Sequence, residues 1–252
     1  MNKMSLWEAA KNGDLVAVKD TVGELSNIDK HDDYGYSALH YACEQGHYLI
    51  AEYLLHQQAD VNDLTEGKEK VHIFGEDDPK YPVHLAAVMG HLDIVKLLLK
   101  NGIDVNCGTE KKEETPLHLS SLHGHLAVAK YLIMHGGDVK RVNCLGYTAL
   151  HYCSGYGHLS LVKYLVSAGI NINHLSKSGG TALHIALKTS SSSLNIVNFL
   201  IEKGSNLQST DEDGKTPLTL AREYILRVHS HLRPRPKFEI NMGLRIAGDN
   251  LV

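Results

Sequence analysis

Seventeen histidines and four cysteines give this chain the side chains for chemistry near neutral pH. An imidazole can move a proton, hold a transition metal or activate a thiol. Two histidine pairs stand two residues apart, His123 with His125 and His229 with His231, and Cys153 follows His151 by two. Residues two apart point to different faces of a helix, so neither pair closes on one ion. Cys43 and Cys153 occupy or adjoin small-residue positions, where a thiol packs as a small hydrophobe. Cys107 and Cys144 add no spacing that suggests a disulfide or a zinc site. No glycine-rich phosphate loop is present. The expectation is no metal, no cofactor and no catalytic residue.

What positions the histidines is a repeat. "SALHYACEQGH" (37–47), "TPLHLSSLHGH" (115–125) and "TALHYCSGYGH" (148–158) are nearly one phrase. His40, His84, His118, His151 and His184 follow one another by 44, 34, 33 and 33 residues, and Thr219 stands in the same place 35 further on. Gly46-His47, Gly90-His91, Gly124-His125 and Gly157-His158 keep the same step. These two series absorb nine histidines and set a period near 33, stretched by an insertion at 63–81.

Each period reads as two short helices and a turn. Thr148 can cap the first helix through its hydroxyl, and Pro116 and Pro217 stand at a first helical position, where no amide donor is lost. The glycine before each histidine ends that helix with a positive φ. Leu159, Val162, Leu165 and Val166 then form one apolar stripe on the second helix. Such a unit cannot bury its apolar face alone; stacked units share one core.

The phrase "TPLHLSSLHGHLAVAKYLIMHGGDV" (115–139) resembles the ankyrin repeat nearly position for position, and the likeness runs from about residue 5 to 222. The resemblance implies an all-α solenoid of stacked helix-turn-helix units with short β-hairpin-like turns. The units expected are an N-terminal capping repeat at 1–31, repeats at 32–62, 63–106 (with the insertion), 107–142, 143–175 and 176–210, a C-terminal capping repeat at 211–232 and a basic tail at 233–252. In the first unit Trp7 is read as standing where later units have histidine. The resemblance also implies that the histidines after the Thr-x-Leu lead bond backbone groups between units.

The two residues before each inner-helix glycine vary most, and in this family they face the concave groove. They are Lys11 and Asn12, Glu44 and Gln45, Val88 and Met89, Leu122 and His123, Gly155 and Tyr156, and Lys188 and Thr189. The central apolar members, Val88, Met89, Leu122 and Tyr156, read as an exposed strip that binds a partner protein, Met adapting and Tyr anchoring. A fold-back of the insertion or the tail over the strip is the other reading. Tyr34, Tyr36 and Tyr147 at the turn tips extend the surface. Asn62, Asn106 and Asn173, each eight residues after a Leu, resemble substrates of an asparaginyl hydroxylase; turn-shaping is the alternative.

Basic residues number 25 against 29 acidic, a net charge of −4 that gives no drive toward nucleic acid or anionic membrane. No apolar run is long enough to insert in a membrane, no signal peptide is legible, and an intracellular, cytoplasmic setting follows. The functional expectation is a non-catalytic scaffold, monomeric when free, that binds another protein. A regulatory or targeting subunit of an enzyme, or an effector of an intracellular microbe acting in the host cytosol, stays open.

Overall fold

The computed structural model describes residues 4–23, 26–66, 78–189 and 194–231. The centre of the insertion and the 233–252 tail lie outside the described residues. Thirteen helices and no strands occur among them. Twelve form pairs: α1 (Leu6–Asn12) with α2 (Leu15–Val22), α3 (Ala38–Gln45) with α4 (Tyr48–His56), α5 (Pro82–Met89) with α6 (Leu92–Lys100), α7 (Pro116–Leu122) with α8 (Leu126–Met134), α9 (Ala149–Gly155) with α10 (Leu159–Ser167), and α11 (Ala182–Lys188) with α12 (Leu194–Glu202). The unpaired helix α13 (Pro217–His231) closes the stack.

Helices of seven to nine residues are too short to be stable alone, so packing holds them. The first helices form one row, each lying against the next; the second helices form an outer row with sparser contact. Between the rows runs one continuous core. Leu39, Leu54, Leu85, Leu98, Leu132, Leu150, Leu165 and Leu183 are all wholly or nearly wholly buried in it. Alanines on the first helices, such as Ala42, Ala86 and Ala186, let neighbouring backbones approach.

The turns are built alike. In three of them one side-chain oxygen accepts two amides of its own turn: Asp32 Oδ1 those of Tyr34 and Tyr36, Asn143 Oδ1 those of Leu145 and Tyr147, and Asp211 Oδ1 those of Asp213 and Lys215. Adjacent tips are joined by backbone bonds: Glu66 N–H donates to Gly35, Lys177 to Leu145 and Glu212 to Ser178 at 2.8–2.9 Å. Thr65 N–H donates to the Lys80 carbonyl at 3.0 Å, as Thr109 does to Glu114. The insertion therefore grows out of a turn tip whose base is intact.

The outer row carries a ladder of lysines over aromatic rings. Lys19 lies over Tyr53, Lys96 over Tyr131, Lys130 over Tyr164 and Lys163 over Phe199, at 5.3–5.9 Å from the ring centre. The step from α4 to α6 lacks the rung, because Glu52 and Leu97 fill the two places. A cleft of about 540 Å³ opens there, lined by Tyr48, Glu52, Leu55, Asp93 and Leu97 among others.

Candidate functional site

The two histidine series prove to be stitches between units. In the first series a backbone amide donates to each Nδ1: Ser37 to His40, Tyr81 to His84, Thr115 to His118, Thr148 to His151 and Thr181 to His184, at 3.1–3.2 Å. An amide can only donate, so the ring proton sits on Nε2. That N–H reaches forward to a carbonyl flanking the next turn. The pairs are His40 to Lys80, His84 to Cys107, His118 to Arg141 and His151 to Gly180, at 2.9–3.2 Å. His184 reaches both Ser209 and Lys215.

The second series reaches backward. His47 Nε2–H donates to Lys11, His91 to Glu44, His125 to Val88 and His158 to Leu122, at 2.7–3.1 Å. Its rings lie on the glycines of the preceding unit. A Cβ on Gly46 would come within 2.7 Å of the His91 ring, and one on Gly90 within 2.5 Å of His125 Nδ1.

Burial depresses the first series, since an imidazolium there would lose its hydration. His40 is held at about 3, and His84, His118 and His151 at about 4. Removing the His118 stitch strands the buried Thr115 amide and the part-buried Arg141 carbonyl. His118→Ala is expected to destabilise the fold by about 1–3 kcal/mol in urea unfolding. Unchanged stability with lost binding would overturn the structural role.

The place assigned to Trp7 from the sequence needs correction. The residue of α1 in the histidine place is Glu8, which closes the capping box with Ser5 as His118 does with Thr115. Trp7 is one residue earlier. Its indole N–H nevertheless donates to Lys30 at 2.7 Å, seven residues before the helix cap Ser37. Arg141 and Ser209 accept their stitches seven residues before Thr148 and Thr216. The indole takes over the donor's task from a neighbouring position.

The expected binding strip is also half corrected. Consecutive helical residues are about 100° apart, so both members of a pair cannot face out. Val88 is buried, 5% exposed, and so is Glu44; the His91 and His125 rings bond their carbonyls. Leu122 is half-buried. The outward members are Gln45, Met89, His123 and Tyr156, with Met89 42% and Tyr156 66% exposed. Among the described residues nothing folds back over Tyr156 to bury it. At the last step Lys188 faces out and pairs with Asp211 Oδ2 at 2.8 Å, which raises its pKa.

The tip tyrosines divide. Tyr34 is exposed, Tyr36 is buried and Tyr147 is half-buried. Tyr36 packs on His40 and Tyr41 with ring centres 5.6 and 5.2 Å away, and Tyr147 stacks on His151 at 5.3 Å. These rings shield stitching imidazoles, so Tyr36 does not belong to an outer surface.

The turn asparagines bridge units. Asn106 donates to the Gly136 carbonyl and accepts from the Asp138 amide; Asn173 does the same with Gly204 and Asn206. Asn62 lies in the corresponding turn, its amide held by Asp60. Cys153 donates to Leu150 from full burial, which raises its thiol pKa, the opposite of an activated nucleophile. Cys107 is likewise pushed up, to about 12.

One group is not legible in the sequence: His31, His40 and Asp63 place ligand-type atoms within 4.8 Å of one another. They come from two turns and a helix, and no short spacing links them. A histidine nine residues before a stitching one is the only available signal.

Stacked helix pairs with a shared core define an all-α repeat solenoid. A family profile described as "Ankyrin repeats (3 copies)" matches residues 6–109, 66–143, 83–176 and 132–211. The chain belongs to the ankyrin-repeat family. It is 40% identical over 60 residues to human "Ankyrin repeat domain-containing protein 39", a match covering 24% of this chain and 33% of that protein. The Bos taurus protein of that name is 46% identical over 43 residues, covering 17% and 24%. The chain thus matches about a third or less of those relatives' length. The solved "human ASB11 ankyrin repeat domain" superposes with a TM-score of 0.74 at 25% identity, covering 93% of this chain and all of that one. Ankyrin repeats are in general protein–protein interaction modules. No helix among the described residues is long and apolar enough to cross a membrane.

Proposed function

We propose that the protein is a non-catalytic intracellular scaffold, monomeric when free, that holds a partner protein against its row of first helices. The observation that carries this is the exposure of Met89 and Tyr156 on a rigid, hydrogen-bonded frame. Large apolar side chains presented by a backbone already fixed in the fold, with His123 between them, suit the centre of an interface. Gln45 and Lys188 supply polar ends, and Leu122 a half-buried floor. Tyr34 and Tyr147 extend the surface at the tips. A net charge of −4 favours a protein partner over nucleic acid.

The test is Met89→Glu combined with Tyr156→Ser. Exposed substitutions change stability by about 0.5 kcal/mol or less, whereas interface anchors carry about 2 kcal/mol or more. The double variant should melt as the parent does and lose the partner captured from cytosol. A variant that folds and still captures it would move the contact elsewhere, with Tyr34 the next residue to replace.

A further inference from the structure

His31 lies in the turn before α3, and both of its ring nitrogens face carboxylates. Nε2 is 3.0 and 3.1 Å from the two oxygens of Asp63, and Nδ1 is 3.2 Å from Glu66 Oε1. A neutral imidazole carries one proton, so one nitrogen presents a lone pair to a carboxylate. The arrangement asks for a positive charge between His31 and Asp63. His40 sharpens the demand. Its Nε2–H is committed to the Lys80 carbonyl, which leaves Nδ1 unprotonated, and Nδ1 stands 3.5 Å from Asp63 Oδ2. The His31 nitrogen, a His40 Nδ1 that now accepts from the Ser37 amide and hydroxyl, and a carboxylate thus converge at one place.

We propose that His31 Nε2, His40 Nδ1 and the Asp63 carboxylate form a zinc site, with Glu66 orienting His31 through its Nδ1–H. Zinc binds nitrogen and oxygen at about 2.0–2.2 Å in a tetrahedron, so ligand atoms stand about 3.4 Å apart. The contacts of 3.0 and 3.5 Å bracket that edge. A carboxylate on the far nitrogen of a ligand histidine is the usual way a ring is held toward a metal. The Asp63 side chain is 11% exposed and lies against both imidazoles. The tautomer of His40, fixed by its bonds to the Ser37 amide and the Lys80 carbonyl, leaves Nδ1 as the nitrogen a metal could take. Coordination would displace both Ser37 donors from His40 Nδ1, the hydroxyl at 2.9 Å and the amide at 3.2 Å. Three protein ligands leave a fourth position for water. The metal would fasten the His31 turn to the turn from which the insertion springs.

The experiment is titration of the full chain with zinc alone, then with cobalt as a visible substitute. One zinc per chain is expected, with a raised melting temperature and the cobalt absorption of a four-coordinate nitrogen–oxygen site. His31→Gln and Asp63→Asn should each weaken binding at least tenfold, while His123→Gln leaves it unchanged. Because surface histidines also take up zinc, cobalt broadening of histidine ring signals in the unaltered chain locates the ion. Broadening centred on His31 and His40 supports the site. Broadening centred elsewhere, binding that survives both substitutions, or no binding, with only a proton between His31 and Asp63, overturns it.

Discussion

Acidification from pH 7 to pH 4 is expected to unfold the stack, well before its carboxylates alone would require it. His84, His118 and His151 are neutral in the fold and held at about 4, against about 6.5 in an unfolded chain. The sign follows from proton uptake. Above about 6.5 neither state binds a proton at these rings, and the fold keeps its full stability. Between about 6.5 and 4 the unfolded chain takes up protons that the fold refuses, so stability falls with pH. Each ring costs on the order of 3 kcal/mol by pH 4, because a tenfold difference in proton affinity is worth about 1.4 kcal/mol. Three together reach the roughly 5–15 kcal/mol that holds an ordinary domain. Among neighbouring charges only Asp78 pulls the other way, on His84; Lys80 on His84, Arg141 on His118, and His174 and His118 on His151 act in the same direction as burial. Burial is the largest cause in all three and outweighs the backbone hydrogen bonds that favour the charged rings. Urea midpoints at half-unit pH steps check this, and stability that stays flat from pH 7 to 5 would refute it.

Gly90→Ala is expected to be a strongly destabilising single methyl group. Gly90 has φ +79°, a left-handed backbone that costs other residues about 1–3 kcal/mol. Its added Cβ would also stand 2.5 Å from His125 Nδ1, and that ring is fixed by its bond to Val88. Moving the ring strands the Val88 carbonyl, adding about 1–3 kcal/mol. Gly102→Ala is the control, because φ is +94° there but nothing lies within 4 Å of the new atom. Both variants should lose the backbone share, and Gly90→Ala roughly twice the total in urea unfolding. Adding His125→Ala should make the Gly90 substitution cheaper, a coupling that separates ring contact from backbone strain. Equal losses for the two glycines would show that the ring moves freely.

Much of this was legible in the sequence because the period is short and its punctuation chemical. Thr115, Pro116, His118 and Gly124 mark cap, first turn, stitch and stop, and each is where the pattern put it. What failed was orientation about a helix axis. Val88 and Met89 look equivalent as adjacent letters, yet one step of about 100° buries the first. Trp7 failed for a similar reason: its ring reaches a place that its number does not. Tyr36 and Tyr34 differ in burial because one leans on an imidazole. The His31 group could not be read, because it depends on how close two turns lie 32 residues apart.

The stitches also make the two ends of the stack mechanically unequal. Joints from α3 to α9 are held by one histidine reaching forward and one reaching backward. Where the sixth unit would carry Gly-His, the sequence reads Ser-Ser-Ser-Ser, and among the described residues the joint keeps only the forward histidine bond, from His151. Of histidine bonds the last joint has only the His184 stitch among them, beside the Lys188–Asp211 ion pair. A chain drawn out from both termini would therefore give way first on the α11–α13 side. The exposed row from Gln45 to Tyr156 would keep its spacing after that end had opened, so a bound partner could ride out the loss of a third of the stack.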